Sequence, residues 1–293
     1  MKEQLFEIGL GGYTIIQAPN MTKTQMMSYL IVTPNGKLVV IDGGLRGDSA
    51  YLTEKIHEYG SVVSYWIITH VHSDHYYALV DIAGSKDMRG ITIEKLCYNF
   101  PPAEWILEAE PQYAQDNMVF FDVLPMFDDI AMILNEGDEL DVDGMMIDIM
   151  KVPDDYLEFD PGYTGGSTVN DTCVVFRLIF PNGKKALFLG DLGFRAGQKL
   201  AKRFGEKLKS EIVQMAHHGQ NGAGEDVYKL VKPEICMWTA PMWLYDNNLW
   251  YRDKRRKNKF DSHHFKTVEV RRWMEKLEVR HHAVEGMGQA RII

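Results

Sequence analysis

Apolar residues recur along the chain at two spacings, and the spacing switches often enough to predict strands alternating with helices. Short apolar runs at 13–18, 28–33 and 37–41 predict strands. The last two flank Pro34-Asn35-Gly36, and Asn-Gly is the strongest short hairpin signal because it tolerates positive φ. Between the first two lies a polar, Met-rich loop at 19–27. Residues 48–59 predict a helix, with Asp48 or Ser49 as N-cap, Leu52 and Ile56 on one face, and Gly60 just past its end. The run Tyr65-Trp66-Ile67-Ile68 suits a buried strand, and the pattern turns helical again at Tyr76. A strand is expected at 91–98. Residues 100–115 read as a helix interrupted by Pro101, Pro102 and Pro111, and 117–136 as a weakly amphipathic one.

Further on, 145–151 and 170–178 predict strands, and the second joins 184–190 through another Asn-Gly turn, Pro181-Asn182-Gly183. Helices are expected at 193–210, 226–231 and 264–277, with strands at 234–239, 279–284 and 289–293. Strands alternating with helices indicate an α/β protein. The whole chain, 1–293, reads as a single domain with an insertion around 100–136 and a basic, aromatic loop around 238–262.

Composition narrows the picture without changing it. Hydrophobic residues make up 45% and charged residues 25%, a balance that excludes a mostly disordered chain. A net charge of −9 makes a general nucleic-acid-binding surface an unsuitable reading, while leaving room for a local basic patch. Cys97, Cys173 and Cys236 lie far apart within apolar runs, which predicts buried thiols rather than disulfides. The N-terminal residues lack an apolar core of signal-peptide length, and no run approaches a membrane span, so a soluble, cytoplasmic protein without membrane contact is expected.

Candidate chemistry concentrates in Thr69-His70-Val71-His72-Ser73-Asp74-His75, where the strand pattern ends. His70 and His72 are two apart, so extended backbone sends both to one side. Asp74 and His75 fall where the chain turns helical and can address a second position nearby. Imidazoles and a carboxylate without a thiol suit zinc, manganese or iron. The acidic run 137–144 lacks the spacing of a calcium loop, and the Gly-rich run 162–168 does not open a helix as a phosphate loop would.

The motif HxHxDH after an apolar strand resembles the signature of the metallo-β-lactamase superfamily. Further landmarks follow in order: the strand ending in Asp42-Gly43, the strand 186–190 ending at Asp191, and Ala216-His217-His218-Gly219. The resemblance implies a metallo-β-lactamase-type αββα four-layer sandwich carrying two divalent metal ions, zinc or manganese, with iron admissible. It implies one metal at His70 and His72, a second at Asp74 and His75, and Asp191 bridging them. One of the His217-His218 pair completes the second site; His217 is taken as the ligand, leaving catalytic roles for His218 and Asp74. Asp42 is expected behind the histidines, fixing an imidazole tautomer, or else as a simple strand-ending turn residue.

Many members of that superfamily carry a further metal histidine in a GHTPG-like segment, yet no histidine occurs here between His75 and His217. With NDTCVVF, LFLGD and MAHHG, the chain is similar to the ComEC-type branch, the hydrolase domains of DNA-uptake competence channels. Thr172, Leu189 and Gln220 depart from that branch's pattern. Asn170 or Asp171 is a candidate oxygen ligand in place of the absent imidazole, and His263 or His264 matches the branch's C-terminal histidine, with His264 taken as the catalytic candidate. The resemblance implies a metal-dependent hydrolase, with a small or polymeric anionic phosphodiester first. The alternative is a carboxylic ester, lactone or thioester, and a non-catalytic binding protein is a third class. Arg255, Arg256 and Lys257, beside Trp250 and Tyr251, are candidates for gripping such a substrate; the same segment also suits a self-packed loop or a contact in an oligomer.

Overall fold

Alternation along the strand Leu38–Asp42 sorts its side chains onto two faces. Val39 and Ile41 point into a core shared with Ile147, Phe176, Phe188 and Met237 of a second sheet, while Leu38 and Val40 pack against Leu52, Tyr76 and Leu79 of two helices. The same sorting runs through the second sheet. There Val175, Leu187 and Val213 turn outward onto Leu200, Val227 and Met274 of three other helices. Two sheets face to face with helices on both outer sides make a four-layer αββα sandwich. The computed structural model describes residues 3–153, 169–247 and 265–293.

The first sheet runs in the order Glu3–Phe6, Gln289–Ile292, Thr14–Gln17, Ser28–Val32, Leu38–Asp42, Tyr65–Ile67, Leu96–Tyr98 and Ala131–Ile133. The second runs Glu139–Val142, Met145–Lys151, Val175–Ile179, Lys185–Phe188, Ile212–Gln214, Ile235–Trp238 and His281–Val284. Both expected Asn-Gly hairpins form, pairing Val32 with Leu38 and Ile179 with Lys185. After each hairpin the strands become parallel, so helices must carry the chain back over the outer face. Ser49–Glu58 and Ser73–Ala83 do this for the first sheet; Phe194–Phe204, Glu225–Val231 and Thr267–Lys276 do it for the second.

Several expected elements are redrawn. The helix predicted over 117–136 ends at Val123, Pro125 sits in the short turn after it, and Ala131–Ile133 becomes an edge strand paired to Leu96–Tyr98. The strand expected at 91–98 divides, because Thr92–Ile93 pairs with Val62–Val63 while Leu96–Tyr98 joins the main sheet. Asp48 precedes its helix but does not cap it with its side chain; the carboxylate accepts the backbone N–H groups of Met21 and Leu45 instead. All three cysteines are free and buried. Among the described residues no helix is long and apolar enough to cross a membrane.

Candidate metal centre

The site grows out of the carboxyl ends of parallel strands from both sheets. Asp42 ends its strand, and His70 and His72 follow Tyr65–Ile67. Asp191 follows Lys185–Phe188, and His217 and His218 follow Ile212–Gln214. Asp74 and His75 lie in the first turn of the helix Ser73–Ala83, where backbone N–H groups favour a carboxylate. Rigid strands thus hold the short loops that carry the chemistry.

These side chains gather into two groups that share one residue. His70, His72 and Asp191 form the first; Asp74, His75, Asp191 and His218 form the second. In the first, Nε2 of His70 and Nδ1 of His72 are 3.0 Å apart. In the second, Nε2 of His75 lies 3.3 Å from Oδ1 of Asp191, and Nε2 of His218 lies 3.2 Å from Asp74 and 3.3 Å from Asp191.

Each imidazole is held from behind through its other nitrogen. Nδ1 of His75 meets Oδ2 of Asp42 at 2.7 Å, and Nε2 of His72 meets Oε2 of Glu110 at 2.9 Å. Nδ1 of His218 meets the carbonyl of Thr239 at 2.9 Å. Nδ1 of His70 lies 3.1 Å from the Thr69 hydroxyl, which itself donates to Asp42 at 2.9 Å. An acceptor behind the ring places the proton there and leaves the inner nitrogen's lone pair facing the centre.

Charge is tightly balanced inside this largely buried cluster. Burial pushes the Asp191 carboxyl up, but the imidazoles of His218, His75 and His217 outweigh it and hold the group well below the usual carboxylate range. Burial likewise pulls His75 down, yet Asp191 and Asp42 win and raise it well above the ordinary value. His218 behaves similarly and is pushed up to about 10, with Asp191 the main opposing charge to its burial. His70 goes the other way: burial, then the neighbouring His75 and His72, hold it well below its ordinary value. A proton on the inner nitrogen of His75 or His218 and a cation in the cluster are therefore alternatives, either of which would neutralise the buried carboxylates. Among the described residues, Nε2 of His75, Nε2 of His218 and Oδ1 of Asp191 are buried without a hydrogen-bond partner. A divalent ion would satisfy all three, and nitrogen and oxygen donors without sulfur fit zinc, manganese or iron.

Local backbone shape brings these groups into place at some cost. Asp42, His217 and His218 all have positive φ, at 55°, 50° and 56°. For non-glycine residues that conformation costs about 1–3 kcal/mol each and persists only where the surroundings enforce it. Gly219 follows with φ 76°, and a Cβ there would approach Trp238 to 2.3 Å, so the turn behind His218 admits no side chain.

His70, His72, Asp74, His75 and Asp191 are brought together as one cluster. The paired histidines separate, because two successive left-handed residues turn the rings apart. His218, rather than the expected His217, stands with Asp74 and His75. His217 sits on the other side, 3.8 Å from Asp191 and 3.4 Å from the Asn170 amide nitrogen. Asp171 turns away from the centre. Its carboxylate packs against Gly193 and takes the backbone N–H of Ala196 at the start of the next helix, so of the two oxygen candidates only Asn170 reaches the cluster. His263 and His264, like Arg255, Arg256 and Lys257, lie outside the described residues.

Glu110 had no signal in the sequence. It precedes Pro111 in an acidic helical stretch that reads as solvated, yet it is buried between His72 and the backbone N–H of Val169. Over the cluster opens a cleft of about 670 Å³. Its walls come from Thr24 and Gln25 of the Met-rich loop, Tyr113, Asp116 and Asn117 of the insertion, and Trp243 and Phe265 beyond the second sheet.

A family model described as the metallo-beta-lactamase superfamily matches residues 21–235. No curated protein matches the sequence at a significant level. Among solved structures, the metallo-beta-lactamase fold protein YhfI from Bacillus subtilis is similar with a TM-score of 0.52 at 10% identity, over 93% of this chain and 96% of that one. A mutant of the CmlA beta-hydroxylase is similar with a TM-score of 0.54 at 9% identity, over 95% of this chain and 53% of that one. Identities this low speak to the fold alone.

Proposed function

The chain belongs to the metallo-beta-lactamase superfamily, and from that membership we propose that it is a hydrolase working through two divalent metal ions. The observation that carries this reading is the sharing of Asp191 between two convergent donor groups. His70, His72 and Asp191 would hold one ion, with His217 and Asn170 beside it; Asp74, His75, His218 and Asp191 would hold the other. When bound, such a pair lowers the pKa of water towards neutrality and polarises a substrate oxygen.

The protein's own part is orientation and charge. Asp42, Glu110, the Thr69 hydroxyl and the Thr239 carbonyl keep the imidazoles in one tautomer and one plane. Asp74 is partly open to the cleft, its side chain 17% exposed, and burial is outweighed there by His218 and His75, so the carboxylate stays ionised and able to accept a proton from an attacking water.

A phosphodiester is the first substrate class. The NDTCVVF, LFLGD and MAHHG segments resemble the ComEC-type branch, and the Asn170 side chain stands beside His217 at the edge of the centre. Carboxylic esters, lactones or thioesters form the second class. One observation favours them: no Lys or Arg among the described residues lines the cleft, so a phosphate would meet no positive side chain there. Turnover of bis(4-nitrophenyl) phosphate against 4-nitrophenyl acetate, a lactone and a thioester separates the two. Phosphodiester turnover that chelation abolishes and zinc or manganese restores is the expected result; acyl turnover alone establishes the second class.

A further inference from the structure

The outer wall of the cleft is built by the start of the helix Ala114–Val123, and its chemistry is unlike that of the metal cluster. Tyr113 and Asp116 are three positions apart, so both project from one face of this turn, and both line the cleft. The Tyr113 ring is 52% exposed, with its centroid 6.3 Å from the ring of His72. Asp116 is exposed as well, and its carboxylate accepts a hydrogen bond from the Tyr77 hydroxyl at 3.0 Å. That donor is neutral. Among the described residues no Lys or Arg forms an ion pair with Asp116. Arg46, which stacks over the Tyr77 ring at 5.5 Å, pairs with Asp81 instead. The other acidic residues of the cleft, Asp74 and Asp191, face imidazoles. Among the described residues, Asp116 is thus a carboxylate without a compensating charge, one helical turn from an accessible aromatic ring, on the rim of the cleft.

We propose that Tyr113 and Asp116 form a subsite for a small organic ammonium group carried on the non-reacting end of the substrate. The proposal rests on the hydrolase reading only in taking this cleft as the substrate's. A cation is drawn to the π face of Tyr113 and to the Asp116 charge together, and the other acidic groups of the lining, Asp74 and Asp191, give the described cleft the same sign of charge. A second phosphate or a carboxylate at this end meets repulsion from Asp116. If the reacting group is a phosphodiester, its single negative charge belongs at the metals and the positive charge of its alcohol belongs here. The absence of Lys and Arg from the described lining is then a feature of selection: the wall is built for the opposite end of a zwitterion.

Calorimetric titration of the metal-loaded, full-length protein with choline and with its uncharged isostere 3,3-dimethylbutan-1-ol tests this directly. The expected result is a preference for choline of about tenfold, weakened by added salt. Asp116→Asn, on the surface and nearly isosteric, should abolish most of that preference, and Tyr113→Leu should reduce it. Equal affinities, no binding of either compound, or a preference that survives Asp116→Asn overturns the proposal. Because the titration needs no turnover, a protein inert on the hydrolase panel that still selects choline refutes the reaction and keeps the subsite.

Discussion

The carboxylate of Asp42 accepts a hydrogen bond from Nδ1 of His75 at 2.7 Å, and both side chains are fully buried. The same carboxylate takes the backbone N–H of Thr69 at 2.8 Å, tying the end of one strand to the loop that carries the histidines. Asp42→Ala removes both ties. Metal affinity, read by competition with a chromogenic chelator, should fall about 10–100-fold. Unchanged affinity in a folded variant would reduce Asp42 to a turn residue.

Metal removal should silence the proposed hydrolase. Purified protein is expected to hold close to two transition-metal ions per chain by elemental analysis, and His72→Ala to lose at least one. Full activity after exhaustive chelation would rule out the metal mechanism.

Asp191→Asn keeps the size of the side chain shared by the two donor groups and removes its charge. Turnover should drop by about a thousandfold or more while the far-UV spectrum stays native. Wild-type turnover with both ions retained would mean that Asp191 does not bridge.

A stability prediction concerns Glu285, whose carboxyl group is buried and faces no Lys or Arg among the described residues. Burial holds it well above its ordinary value of 4.5, with Asp48 adding to the rise and His218 opposing it. The folded protein therefore keeps a proton that the unfolded chain releases. Stability is full below about pH 4.5 and declines as pH climbs towards the folded value. Glu285→Gln mimics the protonated form, so it should raise stability by about 1–3 kcal/mol at pH 8 and by much less at pH 4.5. Thermal melts across that range decide it; a gain independent of pH contradicts the account.

The basic run after the aromatics yields a test by kinetics. Neutralising Arg255, Arg256 and Lys257 together should raise KM for a phosphodiester several-fold, leave the metal content intact and flatten the salt dependence of kcat/KM. Identical kinetics across a salt series would make the run a solvated loop.

Much of the fold and of the candidate donor cluster was legible in the sequence because the informative residues are close together along the chain. His70, His72, Asp74 and His75 share one loop, and the Asn-Gly turns announce their hairpins within a few residues. The features that stayed hidden depend on tertiary packing. Glu110 looks like any helical glutamate until Pro111 and the fold bury it against His72. The choice between His217 and His218 is a matter of two successive left-handed backbone turns, a conformation uncommon for any residue but glycine. The strand Ala131–Ile133 lies at the edge of its sheet, where only pairing with Leu96–Tyr98, absent from the local pattern, overrides a helical preference.

The donors of the centre are divided between the two halves of the sandwich. His70, His72, Asp74 and His75 belong to the first sheet's loops, and Asp191, His217 and His218 to the second's. An ion held by both halves is a rivet through the molecule as well as a reagent. Ions at a hundred times their dissociation constant add about 2.7 kcal/mol against unfolding for each site that exists only in the folded chain. Metal starvation would then loosen the joint between the sheets, so that supply of the ion governs how long the protein survives in addition to how fast it works.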